Sequence, residues 1–155
     1  MRVVLQRVGW ARVEVAGREA GVIAAGLLAL VGVAEGDDAS DARRLADKTV
    51  RLRLFAGEGR PFDRALTEVP GAGLLCVSQF TLLADVRRGS RPSWARAARP
   101  DLAAPLVEVY ADAVAGHGVP VARGVFGAAM TVSLENDGPV TLVLDSDELS
   151  GPRRG

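Results

Sequence analysis

The chain has 155 residues, 48% apolar and 25% charged, with a formal charge of zero at neutral pH. That fits a single folded domain and argues against disorder away from the ends. Zero net charge excludes polyanion binding driven by the field of the whole molecule, so any affinity for nucleic acid has to come from a local patch. Cys76 is the only cysteine and His117 the only histidine, which forbids an intramolecular disulfide, fits a reducing compartment and leaves a Cys/His zinc site without enough ligands. The longest apolar stretch, residues 22–34, is broken by Gly26 and Gly32 and is too short to cross a bilayer as a helix. The start of the chain alternates apolar and polar residues rather than showing a cationic-then-apolar leader, so the expected location is the cytoplasm.

In chain order, residues 3–8 and 12–15 read as two strands, and Ala16-Gly17-Arg18 turns the chain into a return strand over 19–23. Residues 27–33 form a continuous apolar run, the pattern of a strand covered on both faces. Residues 39–53 place Ala42, Leu45, Ala46, Thr49 and Leu52 on one face of a helix. A loop containing Gly57, Gly59 and Pro61 and an irregular stretch to Gly73 follow, and residues 74–80 resume as a buried strand. Residues 101–115 read as a second helix closed by Gly116 and Gly118. Three more strands are expected at 119–122, 130–134 and 140–144. Strands gathered at both ends around two helices predict an α+β domain with two β-sheets and two main helices rather than a doubly wound parallel fold. The domain is expected to span residues 1–146, with 147–155 a flexible tail that has nothing to pack against.

Two strings carry the chemistry. Ser78-Gln79-Phe80-Thr81 sets hydroxyls and an amide at the end of an apolar strand. Residues three apart in a strand point to opposite faces, so Ser78 and Thr81 share a pocket only if the strand ends or bends near Phe80. The plainer reading is two strand hydroxyls bonded to backbone. In Asn136-Asp137-Gly138-Pro139-Val140-Thr141 the backbone has to turn sharply; pattern alone favours a trans hairpin turn, because few X-Pro bonds in folded proteins are cis. His117 reads as solvent-facing near a helix end, and Cys76 as a small buried hydrophobe. Arg87, Arg88, Arg91, Arg96 and Arg99 surround Trp94 with no acid between Val86 and Pro100, a loop that suits either phosphate contacts or simple solvation.

Taken in order, Val4-Leu5-Gln6-Arg7-Val8, Gly26-Leu27-Leu28, Leu52-Arg53-Leu54-Phe55, residues 77–85, Arg91-Pro92-Ser93, Phe126-Gly127-Ala128 and Asn136 to Thr141 resemble the D-aminoacyl-tRNA deacylases nearly end to end. The resemblance implies a homodimer with active sites at the subunit interface, aminoacyl-tRNA as the partner substrate, bound by its 3′-terminal adenosine and acceptor end, and neither cofactor, metal nor membrane. It implies that Ser78, Gln79, Phe80 and Thr81 receive the terminal adenosine and the ester. A cis Gly138–Pro139 element held by Arg7 would enter the partner's pocket, and Met130 would complete the substrate-binding side. It further implies rejection of L-aminoacyl esters, removal of glycine mischarged onto alanine tRNA, and activation of water by the 2′-hydroxyl of the terminal adenosine. The chain departs from the family in carrying Ala129 where Asp is frequent and Trp94 where Phe is frequent. A related branch that edits L-threonine lacks the Ser-Gln-Phe-Thr string. The rival readings are a catalytically silent tRNA-end or nucleotide-binding dimer and an esterase using His117.

Overall fold

The computed structural model describes residues 1–150. Strand β1 (Arg2–Val15) organises the chain, pairing antiparallel with three neighbours. Along one edge it takes β3 (Gly26–Gly32) over residues 2–8 and β2 (Arg18–Ile23) over residues 11–15. Its other edge is lined throughout by β8 (Met130–Asp145). Strands β6 (Gly73–Ser78) and β7 (Val121–Arg123) extend the sheet in parallel beyond β3, giving six strands in all. A separate two-stranded sheet joins β4 (Arg53–Gly57) to β5 (Arg60–Ala65).

The continuous apolar runs behave as strands buried on both faces. Leu27, Ala29 and Val31 of β3, with Leu74 and Cys76 of β6, point into a core shared with α1 (Ala39–Arg51) and α2 (Pro100–Ala115). The intervening Leu28, Leu75 and Val77 point the other way and meet Val8, Ala11 and Val13 of β1, Ile23 of β2, and Met130 and Val132 of β8. The long sheet therefore curls over its own second face, and β2 reaches across to touch β6 and β7.

Helix α1 starts where Asp38 accepts the Ser40 and Asp41 N–H groups at 2.7 and 3.1 Å while Asp41 accepts the Asp38 N–H at 3.1 Å, a reciprocal cap. Its fully buried Thr49 donates to the Leu45 carbonyl at 2.8 Å and lies 2.9 Å from the Tyr110 hydroxyl of α2. Thr49 has one proton and spends it on Leu45, so Tyr110 is the donor. Burial pushes the phenol well above its ordinary pKa. Thr49→Val leaves a buried donor without an acceptor and is expected to cost about 2–3 kcal/mol in urea unfolding, whereas Tyr110→Phe is expected to cost about 1 kcal/mol.

Several expectations need correction. The two strands expected at 3–8 and 12–15 are one strand, and those at 130–134 and 140–144 are two halves of β8 that pair with that same neighbour. The segment between the halves is accordingly a bulge and not a hairpin turn, and its Gly138–Pro139 bond is cis, as the family resemblance implies and against the pattern reading. The loop around Gly57, Gly59 and Pro61 is the β4–β5 hairpin. The chain from Ser146 to Ser150 is a short helix, α3, and it has packing partners. Ser146 is fully buried, accepting the Met1 ammonium at 2.6 Å and donating its N–H to the Met1 carbonyl at 2.9 Å, and Leu149 rests on the helix-covered core. The remainder of the expected tail, 151–155, lies outside the described residues.

Candidate active site

Strands β3, β6 and β7 run in parallel, and a cavity of about 540 Å3 opens beyond their carboxyl ends. Val31 and Val33 come from the end of β3, Val77 and Ser78 from the end of β6, and Phe126 and Ala128 from the segment after β7. Met130 and Val132 close one side, and Ala103 and Val107 of α2 another. Helices and strands distant in sequence thus build an apolar hollow with Ser78 and Gln79 at its polar side.

The chain changes direction at that polar side. Strand β6 ends at Ser78; the Gln79 N–H still donates to the Val31 carbonyl at 2.7 Å, and residues Phe80–Leu83 then wind into a 3₁₀ turn. The strand thus ends and bends near Phe80, the condition for Ser78 and Thr81 to share a pocket; Ser78 lines the cavity and Thr81 does not. The first acceptor within the turn is the Gln79 carbonyl, which takes the Leu82 N–H at 3.2 Å. The N–H groups of Phe80 and Thr81 therefore precede the turn's own hydrogen bonds, as at the start of any helix, and form a pair of adjacent backbone donors. The Gln79 side-chain amide donates to the Thr81 hydroxyl, which fixes that hydroxyl's orientation. Phe80, more than half exposed, meets Trp94 edge to face with ring centroids 5.2 Å apart.

Of the residues singled out from sequence, Ser78, Gln79, Phe80 and Met130 line this cavity, and Thr81 adjoins it through Gln79. Arg7, Gly138 and Pro139 do not line it. They belong to the bulge where residues 137–140 loop out between the pairs Gln6–Thr141 and Val8–Asn136. Arg7 lies opposite the bulge and donates to the Asp137 carbonyl at 3.0 Å and to the Leu54 carbonyl of β4 at 2.5 Å, with its guanidinium 5.8 Å from the centre of the Phe62 ring of β5. Asn136 closes the base of the bulge, accepting the Val140 N–H at 2.8 Å and donating to Thr141 at 2.9 Å. Gly138 and Pro139 stand exposed at its tip. The chain thus carries a cavity and, apart from it, an exposed projection.

The two side chains that might suggest other chemistry are placed elsewhere. His117 bonds Asp47 of α1 at 2.7 Å, away from the cavity lining. Cys76 is buried, and burial pushes its thiol up to about 12, far from a reactive thiolate at neutral pH. Sequence reasoning did not find Val31, Val33, Ala103, Val107 or Phe126 as cavity residues, nor the paired amides of Phe80 and Thr81. The first set is assembled by long-range packing, and the second exists only once the strand ends in a turn. Ala129 is exposed and does not line the cavity.

A curled α+β domain with a cavity at the end of its parallel strands and a strut-held bulge defines a class of fold that other proteins share. The family model described as D-Tyr-tRNA(Tyr) deacylase matches residues 4–145. The chain is 54% identical over 154 residues to the D-aminoacyl-tRNA deacylase of Chloroflexus aurantiacus, covering 99% of this chain and 96% of that one. It is 52% identical to the D-aminoacyl-tRNA deacylase of Roseiflexus sp., with 99% and 98% covered. Among solved structures it superimposes on the c-Myc DNA unwinding element binding protein with a TM-score of 0.85 and 30% identity, covering 94% of this chain and 98% of the other. This chain belongs to the D-Tyr-tRNA(Tyr) deacylase family.

Proposed function

We propose that the protein hydrolyses the ester bond of D-aminoacyl-tRNA in the cytoplasm, acting as a homodimer in which each subunit's Gly138–Pro139 projection enters the other's cavity. The observation that carries this reading is the Ser78–Phe80 strand end at the mouth of an apolar cavity in a chain so similar throughout to D-aminoacyl-tRNA deacylases. The apolar hollow suits the terminal adenosine, and the adjacent amides of Phe80 and Thr81 suit the oxygen of the ester carbonyl.

Chemistry then needs little from side chains. Water attacks the ester carbon, its oxygen bonding there while the negative charge that develops on the carbonyl oxygen is received by the two N–H groups. The bond to the ribose oxygen breaks, and the proton lost by water passes to that leaving oxygen, relayed by the neighbouring 2′-hydroxyl of the substrate. Free D-amino acid and tRNA result. An aminoacyl ester is reactive enough that positioning and oxyanion stabilisation supply the catalysis. Handedness follows from exclusion: the projection leaves no room for a side chain pointing toward it, so L-esters do not seat, while D side chains point away and their identity is irrelevant. Glycine has no side chain to exclude, so glycine mischarged onto alanine tRNA is also a substrate.

Incubation of the protein with D-tyrosyl-tRNA and L-tyrosyl-tRNA is the direct test. Rapid release from the first alone is the expected result, and equal release from both refutes the reading. Sedimentation should give twice the 16.2 kDa chain mass. Thr81→Ala is expected to retain activity within about tenfold of wild type, because the hydroxyl orients rather than attacks. A tRNA ending in 2′-deoxyadenosine is expected to resist hydrolysis, and normal turnover of it excludes the 2′-hydroxyl relay.

A further inference from the structure

We infer that Arg88 and Arg91, on the exposed loop beside the cavity, bind phosphates of the polynucleotide strand whose end occupies that cavity. This rests on the reading that the cavity takes the end of a tRNA. Residues 85–101 hold five arginines and two aspartates, a local charge of +3 in a chain whose total is zero. Three of the five guanidinium groups are already engaged or face other acids. Arg87 grips Asp85 with contacts of 2.9 and 2.5 Å and holds that carboxyl well below its ordinary pKa. Arg99 pairs with Asp101 at 3.1 Å. Arg96 faces a different hollow, one lined by Asp37, Asp41, Asp145 and Asp147. Arg88 and Arg91 are exposed and make no ion pair among the described residues. Two unneutralised, multi-donor cations on one short loop repel each other in the free protein and suit a run of phosphates.

Their placement selects a nucleic acid over other anions. Asp85 and Ser93 exchange two backbone hydrogen bonds of 2.9 Å, so residues 86–92 project as a closed loop. Ser93 lines a polar hollow of about 570 Å3 with Asp85, Arg87 and Arg88. The next residue, Trp94, lines the apolar cavity and packs on Phe80. One step along the chain therefore leads from a cationic hollow to exposed aromatic faces at the cavity rim. Cation beside aromatic is the arrangement that follows a single strand, phosphate on arginine and base on ring.

The test uses the Arg88→Ala/Arg91→Ala double variant, with Arg88→Lys/Arg91→Lys as its charge-preserving counterpart. Fluorescence anisotropy of uncharged tRNA is measured against KCl concentration, and kcat/KM is measured on D-aminoacyl-tRNA and on the D-aminoacyl ester of adenosine alone. The alanine variant is expected to bind tRNA about tenfold more weakly, and the slope of log affinity against log salt is expected to shrink by about 1.4 if two single-strand phosphates are lost. Its kcat/KM on tRNA should fall in step. On the adenosine ester, which lacks those phosphates, it should stay within about twofold of wild type. The lysine variant should recover most of the salt slope. Unchanged affinity and slope overturn the inference, as does an equal loss on both substrates, which assigns the arginines to the cavity or the fold. Wild-type protein that hydrolyses neither ester defeats the proposed activity instead, and the anisotropy measurement still decides the role of the loop.

Discussion

Alanine at position 138 is expected to cut hydrolysis of D-aminoacyl-tRNA about hundredfold while the protein remains folded. Gly138 has φ +137°, a region that L side chains rarely adopt. A Cβ there meets the Val140 side chain at 2.7 Å, the Val140 nitrogen at 2.9 Å and the Arg7 guanidinium at 3.1 Å. The bulge has to shift to make room, and it takes with it the Arg7 contacts to Asp137 and Leu54. Because the bulge tip is exposed and lies outside both apolar cores, the cost to stability is expected to be about 1–2 kcal/mol. The check is kcat/KM on D- and L-esters alongside a thermal melt. Wild-type rates for this variant remove Gly138 from the site, and a fully unfolded variant removes the distinction between site and scaffold.

Gly26→Ala has the opposite signature: the expected result is loss of the folded protein itself. Gly26 faces Gly73 where β3 and β6 begin their parallel pairing, at φ +155°. A Cβ at this position lies 1.9 Å from the Gly73 carbonyl oxygen and 2.8 Å from its nitrogen. Both are backbone atoms and cannot rotate away. Relief requires the two strands to separate at the point from which Leu27 enters one core and Leu28 the other, an expected loss of about 4 kcal/mol or more, against the 5–15 kcal/mol that stabilises an ordinary domain. Gly73→Ala is the informative control, since its Cβ comes no nearer than 3.1 Å to the Pro120 carbonyl oxygen. Denaturant midpoints that rank Gly73→Ala as the more damaging contradict this account of the strand pair.

The comparison of these two glycines shows why some of the structure was legible in the sequence and some was not. Burial on both faces leaves an unbroken apolar run, so β3 and β6 could be read directly, as could α1 with its striped face. The strand expected over 74–80 ends at Ser78, two residues early, and the bend near Phe80 that the sequence left as a condition is the turn that follows it. What sequence could not disclose was continuity. The break expected after residue 8 and the turn expected at 136–141 both look like chain reversals, because Gly and Pro interrupt the alternation. Yet both lie along one pair of long strands, where Asn136 and Arg7 stitch the interruption shut. The β4–β5 hairpin was hidden for a related reason: Pro61 and the glycines mask strands that bring the Leu54 carbonyl and the Phe62 ring beside Arg7. The cavity itself depends on α2 and β3, which share no local pattern with the Ser78 string.

The single strand β1 has a mechanical consequence. It pairs through residues 2–8 with β3, whose end lines the cavity, and on its opposite edge with β8, which bears the bulge. The separation of cavity and bulge is therefore set by covalent spacing and ladder register along one strand. A one-residue slip along that strand would invert which side chains face inward, so the spacing can take one value or fail. On the proposed reading, the protein judges handedness as a machinist's gauge judges a bolt, by a fixed aperture whose tolerance is the stiffness of a β-sheet.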